Sequence, residues 1–224
     1  MNPAANLLPV VALISGRGSN LRAIAERAGS GDLPIEIRAV VSDRADAAGL
    51  AWAQQAGLRT AVLSPRQFPD RDSYDQALAD LVAGFEPGLV VLAGFMRILG
   101  PAFVDRFAGR TLNIHPSLLP TYRGLNTHRR VLEAGESLHG ASVHFVTREL
   151  DGGPVVLQAR VPVLSSDDEA TLAARVLHQE HRIYPQAVGW FARGRLRLVD
   201  GAAWLDGRPL DTPVLVEASD AVAS

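Results

Sequence analysis

At 224 residues the chain is long enough for one sizeable core, and its 47% hydrophobic and 21% charged residues are those of an ordinary globular protein. A net charge of −2 excludes a global basic field for nucleic acid, and no apolar run approaches the roughly eighteen residues of a membrane span. There is no cysteine, and all 22 of the Lys and Arg positions are arginine, which removes disulfides, thiolate chemistry, a P-loop lysine and a lysine Schiff base together.

Leu7–Ile14 is a short apolar, β-branched run and predicts a first buried parallel strand. Ser15–Asn20 is the turn after it, with Ser19 or Asn20 as the cap of a helix over Leu21–Ala28. Strand-like runs return at Ile35–Val41, Thr60–Leu63, Leu89–Ala93 and Arg110–His115. Helical stretches at Ala47–Ala56, Arg71–Phe85 and Pro101–Phe107 separate them. This alternation predicts βαβ units, and so an α/β fold with a mostly parallel central sheet flanked by helices. After a helix over 127–134, Ala141–Thr147 and Gly153–Val163 read as longer strands in mixed or antiparallel pairing. Asp168–Phe191 is the longest helical pattern, and Leu196–Val199 with Ala203–Leu205 reads as a terminal hairpin. With no repeat or linker to divide it, the chain is expected to form one domain over 1–224, with frayed tails at about 1–6 and 214–224. No nucleic-acid or membrane partner is expected, and the protein reads as cytoplasmic.

Within Thr111–Pro120 the chain places an amide, Asn113, and an imidazole, His115, two residues apart on a strand. Residues i and i+2 share a face, so both polar groups project together while Ile114 packs behind them. A satisfied core pair beside a turn is the plainer account of an isolated Asn-x-His. A second feature shifts the balance: Glu149-Leu-Asp151-Gly-Gly-Pro154 puts an acid at the mouth of a tight turn. Amide, imidazole and carboxylate together suit acyl transfer, as oxyanion donor, general acid or base, and a charge that favours imidazolium. Gly16-x-Gly18-Ser19-Asn20 follows a strand and opens a helix, so its backbone N–H groups form an anion pocket. The dinucleotide fingerprint fails because Leu21 stands at its third glycine, which leaves a cradle for a single phosphate or a tight turn that binds nothing. His178, Glu180 and His181 share a helix region, but without further ligands they read as a solvated face rather than a metal site.

Asn113-Ile-His115-Pro-Ser-Leu-Leu-Pro120 followed by Leu150-Asp151-Gly-Gly-Pro154 resembles the folate-dependent formyltransferase and hydrolase superfamily. Ser15-Gly-Arg-Gly-Ser-Asn20, Leu92-Ala-Gly-Phe-Met-Arg-Ile-Leu99 and Gln179-Glu180-His181 with Tyr184-Pro185 are most similar to the glycinamide ribonucleotide formyltransferases within it. The resemblance runs from about Val10 to Leu205. It implies a Rossmann-like formyltransferase fold and formyl transfer from 10-formyltetrahydrofolate, a co-substrate, to the amine of glycinamide ribonucleotide, with no metal. It implies Asn113, His115 and Asp151 as catalytic residues, and substrate contacts from Gly18, Ser19, Asn20, Leu177, His178, Gln179 and Glu180. Folate contacts would come from Arg71, Met96, Arg97, Ile98, Leu99 and Asn113, with Thr147, Arg148, Glu149, Leu150 and Asp151. The active unit is expected to be a monomer or homodimer. Formyltetrahydrofolate hydrolases and methionyl-tRNA formyltransferases share the catalytic kit, but would be expected to carry a further domain; a silent ligand-binding relative would have lost the kit. Arg17 between the loop glycines, and Thr121, Arg123 and Asn126 beyond the histidine, depart from the family pattern and bear on loop conformation.

Overall fold

The computed structural model describes residues 7–217; the expected tails at 1–6 and beyond 217 lie outside them. Eight strands form the main sheet in the order β11-β7-β6-β5-β4-β1-β2-β3. In chain order these are β1 (Leu8–Ile14), β2 (Ile35–Ser42), β3 (Thr60–Val62), β4 (Leu89–Leu92), β5 (Thr111–His115), β6 (Leu138–Phe145), β7 (Val155–Pro162) and, last, β11 (Val214–Glu217). β1 to β5 are parallel, while β6 runs antiparallel to both β5 and β7. Helices α1 (Ser19–Gly29), α2 (Ala48–Gln55), α3 (Arg71–Ala83), α4 (Pro101–Arg106), α5 (Thr127–Glu133) and α6 (Glu169–Ala192) cover it. A small antiparallel sheet, β8 (Leu196–Val199), β9 (Ala202–Leu205) and β10 (Arg208–Pro209), follows α6.

Alternation along the central strands produces two apolar layers. Val10, Ala12 and Ile14 of β1 join the cluster that contains Leu172, Val176 and Ile183 of α6, whereas Val11 and Leu13 join Tyr74, Leu78 and Phe103 of α3 and α4. Strands buried on both faces need no polar side, which is why they read as unbroken apolar runs. Each fully buried Leu, Ile or Val contributes about 1.5–3 kcal/mol. On β5, Leu112 and Ile114 pack toward α6, so Asn113 and His115 face the other way.

Two expectations are corrected. α1 begins at Ser19, and its cap is Gly18 in the left-handed region (φ 70°), with no side-chain cap bond. Asn20 lies inside the first turn rather than at the cap, and its amide nitrogen donates to Glu180. Val214–Glu217 is not a frayed tail but an edge strand, parallel to β7 from Val214↔Leu157 to Glu217↔Arg160. At the other end of α6 the expected boundary at Asp168 holds as its cap: Asp168 accepts from the Thr171 amide at 2.8 Å, and the Thr171 hydroxyl accepts in return from the Asp168 amide.

Candidate active site

β1, β4 and β5 are neighbours and parallel, so their carboxyl ends open on one edge of the sheet, where ligands of open α/β sheets bind. Asn113 is the last residue of β5 paired with β4, opposite Leu92, and lies across from His144 of β6. The Asn113 amide nitrogen is 3.0 Å from His144 Nε2. His144 Nδ1 is 2.9 Å from the Phe145 carbonyl, which can only accept, so Nδ1 carries the proton and Nε2 accepts from Asn113. Burial holds the His144 pKa below its ordinary value, consistent with a neutral ring. One amide hydrogen of Asn113 is thus committed to His144, and the second remains for a ligand.

His115 ends β5, and Pro116 stops the strand from continuing. Its Nε2 lies 3.0 Å from the Tyr122 carbonyl, and its Nδ1 lies 3.4 Å from Asp151 Oδ2. Both nitrogens therefore face oxygen acceptors. Asp151 stands in the turn between β6 and β7 with a left-handed backbone (φ 49°). Its Oδ2 also accepts the Gly124 amide at 2.9 Å, and its Oδ1 is 3.7 Å from His144 Nε2. One carboxylate, 8% exposed, thereby touches the β5 histidine, the β6 histidine and the 116–126 loop. The expected trio converges on a cavity of about 480 Å³, lined also by Gly94–Ile98, Gly124–His128 and Glu169. A narrower recess continues from it between Leu92, Phe95, Leu99 and the Val146–Asp151 turn.

The remaining expected residues fall in two groups. Gly18, Ser19 and Asn20 open α1, next to the cleft along the sheet edge, and Gly49 braces this loop from below by donating its amide to the Gly16 carbonyl at 2.9 Å. Asn20 donates to Glu180 Oε2 at 2.6 Å, and its own carbonyl oxygen is buried without a protein partner. Burial raises the Glu180 pKa above the ordinary carboxylate value, with the Asn20 bond opposing it. Leu177 is half-buried, His178 is exposed, and Gln179 is buried and accepts from Arg182 at 2.8 Å. Of the residues expected toward folate, Met96 (66%) and Ile98 (52%) are exposed beside the cleft while Leu99 is buried. Arg97 covers the Tyr74 ring at 5.2 Å, and Arg71 donates to the Ile98 carbonyl at 2.9 Å. Thr147, Glu149 and Leu150 line the recess; Arg148 pairs with Asp105, and Glu149 with Arg123. Among the described residues no group of three or more His, Asp or Glu side chains could hold a metal ion, and no helix is long and apolar enough to cross a membrane.

His144 was not among the expected site residues. The signal available was register: a polar residue on the strand before the Asp151 turn, in a run otherwise buried. The Tyr122 carbonyl and Gly124 amide carried no signal, since any residue has them.

The family model described as formyl transferase matches residues 8–188. The phosphoribosylglycinamide formyltransferase of Escherichia coli (strain K12) is 56% identical over 201 residues, covering 90% of this chain and 95% of that one. The solved phosphoribosylglycinamide formyltransferase of Coxiella burnetii superposes with a TM-score of 0.89 at 50% identity, covering 93% of this chain and 99% of that one. The human trifunctional purine biosynthetic protein adenosine-3 is 42% identical over 84% of this chain, which spans only 19% of that protein.

Proposed function

The chain belongs to the formyl transferase family, and from that premise we propose that it is a phosphoribosylglycinamide formyltransferase. It moves the formyl group of 10-formyltetrahydrofolate to the amine of glycinamide ribonucleotide, giving formylglycinamide ribonucleotide and tetrahydrofolate, within one domain. The observation that carries this is the convergence of Asn113, His115 and Asp151 on one cleft.

The neutral amine attacks the formyl carbon; a carbon–nitrogen bond forms and the carbonyl oxygen becomes an oxyanion. The free amide hydrogen of Asn113 and the Nε2–H of His115 are the donors for it, the latter exchanging its Tyr122 carbonyl for the oxyanion. One such donor is typically worth about 2.7–4 kcal/mol in the transition state. Asp151 orients the ring through Nδ1. The attacking nitrogen loses a proton, which passes by way of the carboxylate and water to folate N10, and the bond from N10 to the formyl carbon breaks. The ribonucleotide phosphate lies on the backbone amides of Gly18, Ser19 and Asn20, where the helix start concentrates unpaired N–H groups. Leu177, His178, Gln179 and Glu180 border the ribonucleotide, and the buried Asn20–Glu180 pair offers it a carbonyl and a carboxyl. The pterin enters the recess between Met96–Leu99 and Thr147–Asp151, with Arg71 and Arg97 toward the glutamate carboxylates.

Tetrahydrofolate formation followed by absorbance, with glycinamide ribonucleotide, methionyl-tRNA or water as acceptor, tests the assignment. Turnover only with the ribonucleotide is expected. Equal turnover with water alone would make the protein a hydrolase, and transfer only to methionyl-tRNA would overturn the substrate assignment.

A further inference from the structure

Gly94–Gly100 leaves β4 and forms one wall of the cleft. It has no ladder of its own, so its shape depends on what grips it. At the front, the Met96 amide donates to Ser15 Oγ at 2.9 Å and the Ser15 amide to the Gly94 carbonyl at 3.0 Å. At the rear, the grip comes from the first turn of α3. Arg71 donates to the Ile98 carbonyl at 2.9 Å, and its Nε lies 3.4 Å from Asp75 Oδ2. The Asp75 side chain is 3% exposed and packs against Gly100. The approach is close: a Cβ added to Gly100 would stand 2.3 Å from Asp75 Oδ2.

A buried carboxylate is an expensive way to fill space. Desolvation raises the Asp75 pKa despite the Arg71 charge, so at neutral pH its ionised form opposes folding. The benefit therefore lies elsewhere, and the loop it grips is the cleft wall. We propose that Asp75 is a positioning residue for the folate co-substrate: its carboxylate fixes Arg71 and abuts Gly100, and so holds Met96–Leu99 in the shape that receives the pterin. This rests on the folate assignment above and deepens it, giving Arg71 a duty toward the loop that is independent of any glutamate it meets.

Two co-substrates separate the two duties: 10-formyltetrahydrofolate and 10-formyltetrahydropteroate, which lacks the glutamate. Asp75→Asn is expected to raise KM for both by about tenfold, through the loss of the ion pair with Arg71, with kcat and the ribonucleotide KM within about twofold of wild type. Amide hydrogen exchange across 94–100 should quicken without any ligand present. Gly100→Ala, which pushes on the same contact from the loop side and leaves the carboxylate intact, should reproduce both effects. A KM rise confined to the glutamate-bearing co-substrate overturns the proposal, because Asp75 would then serve only the tail contact of Arg71. Unchanged KM in both variants overturns it, as does an equal loss for both substrates with a lowered melting temperature. A wild-type protein inactive with folate defeats the proposed function, while the exchange measurement still tests the grip of Asp75 on the loop.

Discussion

Asp151 holds a left-handed backbone conformation, φ 49°, that Asp and Asn adopt more readily than other side chains. That backbone aims its carboxylate back across the turn, at His115, His144 and the Gly124 amide at once. Asp151→Asn keeps the size, the tolerance of positive φ and an oxygen for Gly124, and removes only the charge that faces His115. Turnover is expected to fall by about 10²–10⁴-fold, the range of a lost acid–base partner, while the ribonucleotide KM, set at the α1 loop, stays within about twofold. Steady-state kinetics with both substrates varied measures this. A variant with normal kcat would reduce Asp151 to a turn residue.

At the level of elements, the proposed phosphate cradle depends on a second helix, α2. α2 enters directly beneath the α1 loop: a Cβ on Gly49 would come 2.8 Å from Gly18 Cα, 2.9 Å from Ile14 Cδ1 and 3.0 Å from the Gly16 carbonyl. Helix propensity alone favours Gly49→Ala by about 1 kcal/mol. Close approach of two backbones decides otherwise, because Gly18 also needs its positive φ and cannot simply shift. Gly49→Ala is expected to raise the ribonucleotide KM about tenfold or more and leave the folate KM unchanged. Kinetics with a melting curve as control checks this; an unaltered ribonucleotide KM would detach α2 from the phosphate site.

For the molecule as a whole, buried histidines set the acid limit of stability. His139 of β6 is 1% exposed, and burial lowers its pKa to about 4, helped by the neighbouring His128, whose Nδ1 is 3.0 Å from His139 Nε2. His128 and His144 are lowered as well, each chiefly by burial. The folded chain thus binds fewer protons than the unfolded chain between the ordinary histidine value of 6.5 and about 4. Stability from this source is complete above the unfolded value and is lost as pH falls through that window, at a cost of about 3 kcal/mol for His139 alone. Urea midpoints of His139→Gln should fall less steeply than wild type across the window, and parallel slopes would contradict this. The Asp167 carboxyl, held near 2 by Arg175, responds only at lower pH.

Local chemistry was enough for much of this protein. The period of two along Thr111–His115 alone sends Asn113 and His115 to one face, because side-chain direction in a strand is a property of the strand. Unbroken apolar runs between helical stretches announce a doubly covered parallel sheet, and the residues from Asn113 to Asp151 suit acyl transfer, with formyl transfer implied only by their resemblance to a known family. Other features lay beyond local chemistry. His115 meets the Tyr122 carbonyl, and Asp151 meets the Gly124 amide 27 residues away; both partners are backbone groups, identical in every residue. Asn20 finds Glu180 across 160 residues, a pairing that no local pattern announces. Val214–Glu217 reads as a tail by itself and becomes a strand only because β7 offers an unpaired edge. A sequence specifies which groups a residue carries and which way they point along an element; which backbone atom lies opposite is decided by how the elements pack.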